Sequence, residues 1–472
     1  MRSKILPVAI SLFTLSPATQ ALPIDWNGTL GFDTNIIENV KRTDESCGGA
    51  TPAGSSYCPG DDNDHARYQS YVLRLAPTII VNDSATIKGE ISTGAIRGGF
   101  MGDDSEAQSS FYSQSPSGSQ QLAVNQFYAE LYADTALFKV GKYAKNFGLG
   151  AVINDGSDTW DRFLSVYNGV EANFMLGKFS IAPFWAKIDS PANGTNQFQT
   201  GKYDSTETGI IANYDDKNQN FQFSVYYGVR DVETNNTLYG DPATGPAEVT
   251  LIDVFVKKSW EKFSLGLEIP MMSGEAGQIF GTTEDVDVDS NAYIFQAAYK
   301  LNPRWELGLD AGMVKGEDGE DQFNAMYLHP NFKIAQLMFA YNYQAFQNNA
   351  QGNIFSSSVT NSTYAKLFAN YSSDAWTWRL ALIMATASET ASNGDLFYNH
   401  ETNAIATAAA DQEDDLGMEV DVAFDYQWNP NILVTGYFAH WQVGDYYGFT
   451  NSGDGVETSD VTATGLKLSL DF

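Results

Sequence analysis

The last residues of the chain alternate strictly. Leu466, Leu468, Leu470 and Phe472 share one parity, and Gly465, Lys467, Ser469 and Asp471 share the other. Successive side chains of a strand point to opposite faces, so this is a strand with one oily face and one wet face. The signature recurs. Met418, Val420, Val422, Phe424, Tyr426 and Trp428 alternate with Glu419, Asp421, Asp425 and Gln427. Trp305, Leu307, Leu309, Ala311 and Met313 alternate with Glu306, Gly308, Asp310 and Gly312. Phe221, Phe223, Val225 and Tyr227 oppose Gln222, Ser224, Tyr226 and Arg230. A soluble half-buried sheet gives this pattern once or twice. Its repetition along a whole chain favours a closed barrel, because lipid leaves an open sheet edge unsatisfied.

An alternating final strand that ends on an aromatic residue resembles the assembly signal of Gram-negative outer-membrane β-barrels. Leu466, Leu468, Leu470 and Phe472 carry that resemblance; the glycine common in the signal falls two places early, at Gly465. The resemblance implies the outer membrane and delivery through the barrel-assembly machinery. The amino terminus agrees independently. Arg2 and Lys4 precede a short apolar run from Ile5 to Leu15, and Ala18-Thr19-Gln20-Ala21 is a small-residue cleavage site. This predicts a signal peptide over 1–21, leaving 22–472 as a single barrel.

Beyond that run no stretch of roughly 18 apolar residues exists, so the membrane is crossed by strands or not at all. Alternating segments of about ten residues have the length of a tilted membrane strand. Short turn-forming pairs separate them on one side: Asn82-Asp83, Gly177-Lys178, Lys217-Asn218, Glu261-Lys262, Asn302-Pro303, Ser373-Asp374 and Asn429-Pro430. Long connections alternate with these, near 34–66, 101–121, 151–166, 190–204, 231–248, 273–289, 388–415 and 444–457. Short periplasmic turns and long external loops are the rule for such barrels. The expected fold is therefore an all-β, transmembrane, antiparallel up-and-down barrel. Residues 317–362 decide the count. Read as a hairpin they give 20 strands, and read as a loop folded into the pore they give 18; within a range of 16–20, the pattern is best met by 18.

Composition adds two constraints. With 25 Tyr, 29 Phe and 9 Trp the chain is rich in aromatics although its strands carry many polar residues, which suits aromatic girdles around a wet interior. The formal net charge of −31 excludes nucleic acid as a partner, since no basic patch is available for phosphates. Much of the acid lies in Asp/Gly/Asn-rich segments between strands, which places an acidic vestibule outside the barrel. Cys47 and Cys58 share one such segment and are expected to form a disulfide in an oxidising compartment.

Charges on membrane strands belong on the lumen side, because a lipid-facing charge near the midplane costs about 2–4 kcal/mol. The basic pore-lining candidates are Arg74, Lys88, Lys139, Lys145, Arg230, Lys257, Lys366 and Arg379. The acidic ones are Glu90, Glu130, Glu171, Asp253, Glu268, Glu306, Asp310, Glu419, Asp421 and Asp425. Lys139 and Lys145 fall near the fifth strand, and Glu306 and Asp310 on the thirteenth. In an 18-stranded barrel those walls are nearly opposite and would set up a transverse field, so that Lys139→Glu would change ion selectivity. The plainer alternative is a plugged barrel in which these charges pair as salt bridges.

A second resemblance lies between Lys139 and Phe163. Lys145-Asn146-Phe147-Gly148-Leu149-Gly150, Asn154-Asp155-Gly156 and Trp160-Asp161-Arg162-Phe163 resemble a segment of a large group of proteobacterial outer-membrane barrels, as does the stretch from His329-Pro330-Asn331-Phe332 to residue 339. That group implies a porin-like barrel with a loop reaching inward, and a homotrimer enters by analogy with porins. Asp285, Asp287 and Asp289 are spaced as in a calcium loop, but Ser290 replaces the turn glycine and Gln296 the terminal glutamate. Solvated acidic loops, or loops bridged to lipopolysaccharide by loosely held divalent cations, fit the pattern better. Of four histidines only His440 sits where a strand would aim it at the lumen, and no serine and acid partner it. No cofactor or enzymatic activity is expected. The reading is an outer-membrane, porin-like channel for passive diffusion of small hydrophilic solutes or ions, set among lipids and lipopolysaccharide. Its rivals are a channel specific for a sugar, polysaccharide or apolar compound, and a structural or adhesive barrel without an open pore.

Overall fold

The structure, a computed structural model, describes residues 23–43, 65–94, 97–101, 122–189, 205–232, 246–278, 284–317, 322–343, 346, 353–399, 404–449 and 455–472. The signal segment and both cysteines lie outside the described residues.

Eighteen full-length strands make one closed antiparallel sheet. In chain order they are β1 Ile24–Glu38, β2 His65–Asn82, β3 Ala85–Thr93, β4 Leu122–Ala133, β5 Ala136–Ala144 and β6 Val166–Leu176. Next come β7 Phe179–Asp189, β8 Ser205–Asp216, β9 Phe221–Val232, β10 Ala247–Ser259, β11 Phe263–Glu275 and β12 Asp287–Lys300. The last six are β13 Trp305–Val314, β14 Ser362–Ser373, β15 Trp376–Thr386, β16 Asp415–Asn429, β17 Ile432–Val443 and β18 Val461–Asp471. Each pairs with its sequence neighbour, and β1 pairs with β18 from Thr29↔Asp471 to Glu38↔Thr462, which removes every edge. The short strand Gly98–Phe100 extends β3 along β2, and Gln322–Phe323 pairs in parallel with β12. Because β13 pairs directly with β14, residues 315–361 add no strand to the wall. The count is 18.

The two faces of the wall follow from the alternation. On β9, Phe223 and Tyr227 stand on the outside while Ser224 and Tyr226 are buried inside. Similar outward rows on β14, β15 and β18 expose Leu367, Leu380 and Leu466. A continuous apolar outer surface of this kind is stable only against lipid, so the barrel spans a membrane. At the rim of the short turns the outer rows end in aromatic pairs. Trp305 packs on Tyr371 at 4.9 Å, Trp376 on Tyr426 at 4.6 Å and Phe179 on Tyr214 at 4.8 Å between ring centroids. Such amphipathic rings sit at the membrane–water boundary. His440 departs from the sequence expectation. Ala439 and Trp441 are the inward residues there, and His440 lies on the outer row against Thr462, 3.1 Å away, and Asp460.

The interior is drier than composition suggests. Two loops fold into the lumen and pack as a core. Residues 145–165 bury Phe147 and Ile153 against Tyr143, Tyr167, Phe184, Tyr226 and Phe255 of the wall, and Ala151 joins the core of the second loop. Residues 324–343 bury Met326, Leu328, Ile334, Leu337 and Met338 against Ile294, Ile383, Ala439 and Trp441. At these inward apolar wall residues alternation reports the pleat but not what covers it.

Closure also fixes the end of the chain. Phe472 N–H donates to Gly28 C=O at 3.0 Å, and Gly28 N–H donates back to Phe472 C=O at 2.8 Å. Replacing Phe472 by aspartate is expected to cut the yield of assembled barrel sharply. Heat-modifiable mobility on gels measures this, and a wild-type folded fraction would count against a role for the terminal ring.

Candidate functional site

The two inward loops are locked to each other and to the wall by backbone groups. Asn331 is the junction. Its side-chain N–H groups donate to Phe163 C=O at 2.8 Å and to Asn154 Oδ1 at 3.1 Å, and His329 N–H donates to Ala151 C=O at 2.6 Å. Pro330 follows His329 and keeps it extended, so Asn331 is presented to the other loop rather than to its own.

Two pairs of wall carboxylates hold these loops. Glu268 of β11, fully buried beside Asp253 of β10, accepts the N–H of Leu149. Gly148 permits this approach: its φ is +58°, and a Cβ there would collide with the Glu268 carboxylate. Glu419 of β16 accepts three successive N–H groups, from Gln336 at 3.0 Å, Leu337 at 2.8 Å and Met338 at 2.7 Å. Its neighbour Asp421 accepts Gln336 N–H at 3.3 Å. Consecutive N–H groups converging on one carboxylate form an anion nest. Three of these four acids, candidates for lumen charge by sequence, therefore anchor loops, and Asp253 is buried beside one of them.

Most of the other candidates are paired within the wall. Lys88 bonds Glu130 at 2.9 Å, and Arg230 bonds Glu207 at 2.8 Å. Glu90 takes both forks of Arg97 at 2.8 Å, while Arg97 and Arg74 both donate to Gly156 C=O, at 2.6 and 2.8 Å. Lys139 and Lys145 both turn onto Glu171, at 3.7 and 3.0 Å, and Lys145 lies buried over the Phe184 ring. Across the lumen Asp310 stands opposite Lys366 in the strand register, Glu306 accepts from Asn370 at 3.3 Å, and Lys257 lies exposed near the short-turn rim. The walls expected to oppose each other thus carry locally compensated charge. The transverse pair is not where the open space is.

That space is a cavity of about 620 Å³ between the two loops and the wall formed by β15–β18 and β1. The wall contributes Arg379, Asp425, Lys467 and Asp33; the loops contribute Asp158, Asp161, Arg162 and Lys333. Arg379 donates to Asp425 at 2.9 Å, and Thr435 donates to the same carboxylate at 2.6 Å. Asp33 accepts the N–H of Ser70 at 2.8 Å and its hydroxyl, and Arg162 donates to the Ser70 hydroxyl at 2.7 Å while stacking 4.0 Å over Phe355. Lys333 donates to the carbonyls of Ala340 at 3.0 Å and Ser357 at 3.2 Å. Of the candidates drawn from the sequence only Arg379 and Asp425 reach the cavity. Asp33 and Lys467 sit on inner rows that alternation marks, Asp33 between the outward Phe32 and Ile36. Arg97, Asp161, Arg162 and Lys333 sit on loops, where alternation says nothing about direction.

The loop groups differ in how they titrate. Burial, with the neighbouring Asp158 adding to it, raises the Asp161 carboxyl to about 6 against the opposing pull of Arg97 and Arg74. Burial, aided by Lys333, lowers the His329 imidazole to about 4, and burial lowers the Lys333 ammonium to about 8. Between pH 7 and pH 5 only Asp161 among these three changes charge. Protonation removes one negative charge from the cavity, so permeability is expected to shift toward anions as pH falls through about 6. Reversal potentials in a salt gradient measure the shift, and Asp161→Asn should flatten it. An unchanged pH profile in that variant would remove the assignment.

No protein-family model matches the chain, and no curated protein sequence matches it. Solved structures do match over nearly its full length. OccAB4 of Acinetobacter baumannii aligns with a TM-score of 0.50 at 13% identity, covering 96% of this chain and 99% of that one. OccK9 (OpdG) of Pseudomonas aeruginosa aligns with a TM-score of 0.50 at 12% identity, covering 95% and 99%. A BenF-like porin from Pseudomonas fluorescens Pf-5 aligns with a TM-score of 0.49 at 10% identity, covering 95% and 99%. At identities of 12–13%, what OccAB4 and OccK9 share with this chain is the fold alone, a closed antiparallel β-barrel.

Proposed function

We propose that this protein is a porin-like channel of the Gram-negative outer membrane through which small hydrophilic solutes diffuse passively. The observation that carries the reading is the cavity of about 620 Å³ lined by charged and polar side chains inside a barrel whose outer face is apolar. The part-exposed Arg379–Asp425 ion pair on one side and the anchored loops on the other make a polar path beside an otherwise packed interior. Arg379, Asp425, Lys467 and Asp33 line that path; the buried carboxylates and wall salt bridges hold its shape. Loop anchoring by Glu268 and Glu419 favours a narrow, selective pore over a wide one, which supports the substrate-specific variant of the same reading.

Purified full-length protein in planar bilayers tests this. The expected result is a stable single-channel conductance whose ion selectivity depends on salt, because screening shortens from about 10 Å at 0.1 M to about 3 Å at 1 M. Absence of conductance from folded protein over varied voltage and salt would leave the structural or adhesive reading instead. Maturation follows the same reading: removal of 1–21, a Cys47–Cys58 disulfide, insertion by the barrel-assembly machinery through the Leu466–Phe472 strand, and assembly as a homotrimer. Intact mass and native gels of outer-membrane protein check these.

A further inference from the structure

Two lysines break the rule that strand charges face the lumen. Lys142 of β5 and Lys187 of β7 lie on outer rows, and Asn168 of β6 stands between them in the register Lys142↔Asn168↔Lys187. Their α-carbons are therefore about 10 Å apart across the sheet. The next outer row toward the short turns is Val140↔Val170↔Trp185, all exposed and apolar or aromatic. The outer face thus changes from apolar to basic within two residues on three adjacent strands. Lys187 is eight residues beyond Phe179 of the short-turn rim. For strands rising about 3.4 Å per residue at a tilt of about 40°, that places it about 20 Å higher along the membrane normal. The apolar band of such a barrel is about 25 Å tall, so both ammoniums reach the headgroup layer on the loop side, where a lysine costs little.

Lys142 points toward that layer. Its register partner on β4 is Phe127, yet its Nζ donates to the C=O of Val124, nearer the loops, at 2.9 Å. Two of its three donors remain, and among the described residues no carboxylate pairs with it. Elsewhere on this rim outward basic groups meet an acid. Arg67 meets Glu38 at 3.8 Å, Lys315 meets Asp289 at 3.4 Å and His440 meets Asp460 at 3.5 Å. A chain of net charge −31 repels anionic lipid as a whole, and this face is where it attracts one. An apolar row directly beneath a basic one suits an amphiphile with acyl chains and an anionic head.

We propose that Lys142, Asn168 and Lys187 form a docking site for the phosphorylated headgroup of an outer-leaflet lipopolysaccharide. The phosphates pair with the two ammoniums, and the acyl chains lie along Val140, Val170 and Trp185. The inference goes beyond the channel reading and holds whether or not the barrel conducts. Purified full-length protein in detergent, titrated with a short-chain lipopolysaccharide and read by native mass spectrometry, tests it. Binding is expected to persist in EDTA, because lysines take the place of bridging divalent cations. The same lipid stripped of its phosphates should bind wild-type protein about tenfold more weakly, a comparison that needs no variant. The Lys142→Gln/Lys187→Gln protein should show a similar loss, and the Lys142→Arg/Lys187→Arg protein should bind like wild type. Equal binding of the dephosphorylated lipid overturns the proposal, as does undiminished binding by a folded double glutamine variant. Release of the lipid by EDTA would assign it to cation-bridged acidic loops and overturn it as well. Fewer oligomers with unchanged lipid binding in the glutamine variant would give this face to a second copy of the chain instead.

Discussion

Replacing Glu419 by leucine is expected to raise single-channel conductance several-fold. Leucine fills nearly the same buried volume but accepts nothing, so the N–H groups of Gln336, Leu337 and Met338 lose a partner together. A hydrogen bond contributes roughly 0.5–1.5 kcal/mol, and a buried donor left without a partner costs about 1–3 kcal/mol. Against that, the loop keeps the burial of Leu337 and Met338 in the core. Loss of three converging bonds should outweigh the apolar contacts at this turn, and the segment from Ile334 to Phe339 should leave the wall. The lumen on the β16 side then widens. Glu419→Gln, which retains one carbonyl oxygen, should fall between the two. Wild-type conductance in a correctly folded Glu419→Leu protein would show that apolar packing alone holds the loop.

Arg379→Glu is expected to move the channel strongly toward cations. The cavity now carries four groups of each sign, and the substitution leaves three cations facing five carboxylates. It also places a carboxylate beside Asp425, which the guanidinium held at 2.9 Å. Two unit charges 4 Å apart interact by about 4 kcal/mol at an effective dielectric of 20, enough to dominate selectivity in a confined space. Arg379→Gln removes one charge and should give about half the shift in reversal potential. Raising salt from 0.1 M to 1 M should compress both shifts. Identical reversal potentials for the three proteins at low salt would mean that ions do not pass by this wall.

Much of the barrel was legible in the sequence because a strand writes its two faces into alternate residues. Phe223 and Tyr227 against Ser224 and Tyr226 is enough to assign one strand and both of its sides. The turn pairs at one rim and the reading of 317–362 as a loop then set the number of strands. The site was less legible. Asp33 could be read from alternation with Phe32 and Ile36, and Arg379 from alternation with Trp378 and Leu380. Arg162, Asp161 and Lys333 could not, because a loop has no fixed period and their direction is set by contacts with distant segments. Glu268 and Glu419 show the converse limit. Their inward direction was readable, but not that a backbone N–H from residues 149 or 336–338 would be waiting there.

The sequence by itself determined the sheet, its closure and its lipid face. The repeated alternation, of which the row from Leu466 to Phe472 is one case, carries all three, since period-two patterning is a local property and lipid penalises any exposed edge. Only the tertiary structure decided what fills the barrel. Which charges are spent on holding loops, which pair within the wall and which meet at the cavity depends on residues far apart in the chain arriving at the same depth, as Asp33, Arg162 and Lys467 do. Electrostatic and hydrogen-bond partnerships of that kind act over a few ångströms in space and leave no periodic trace along the chain.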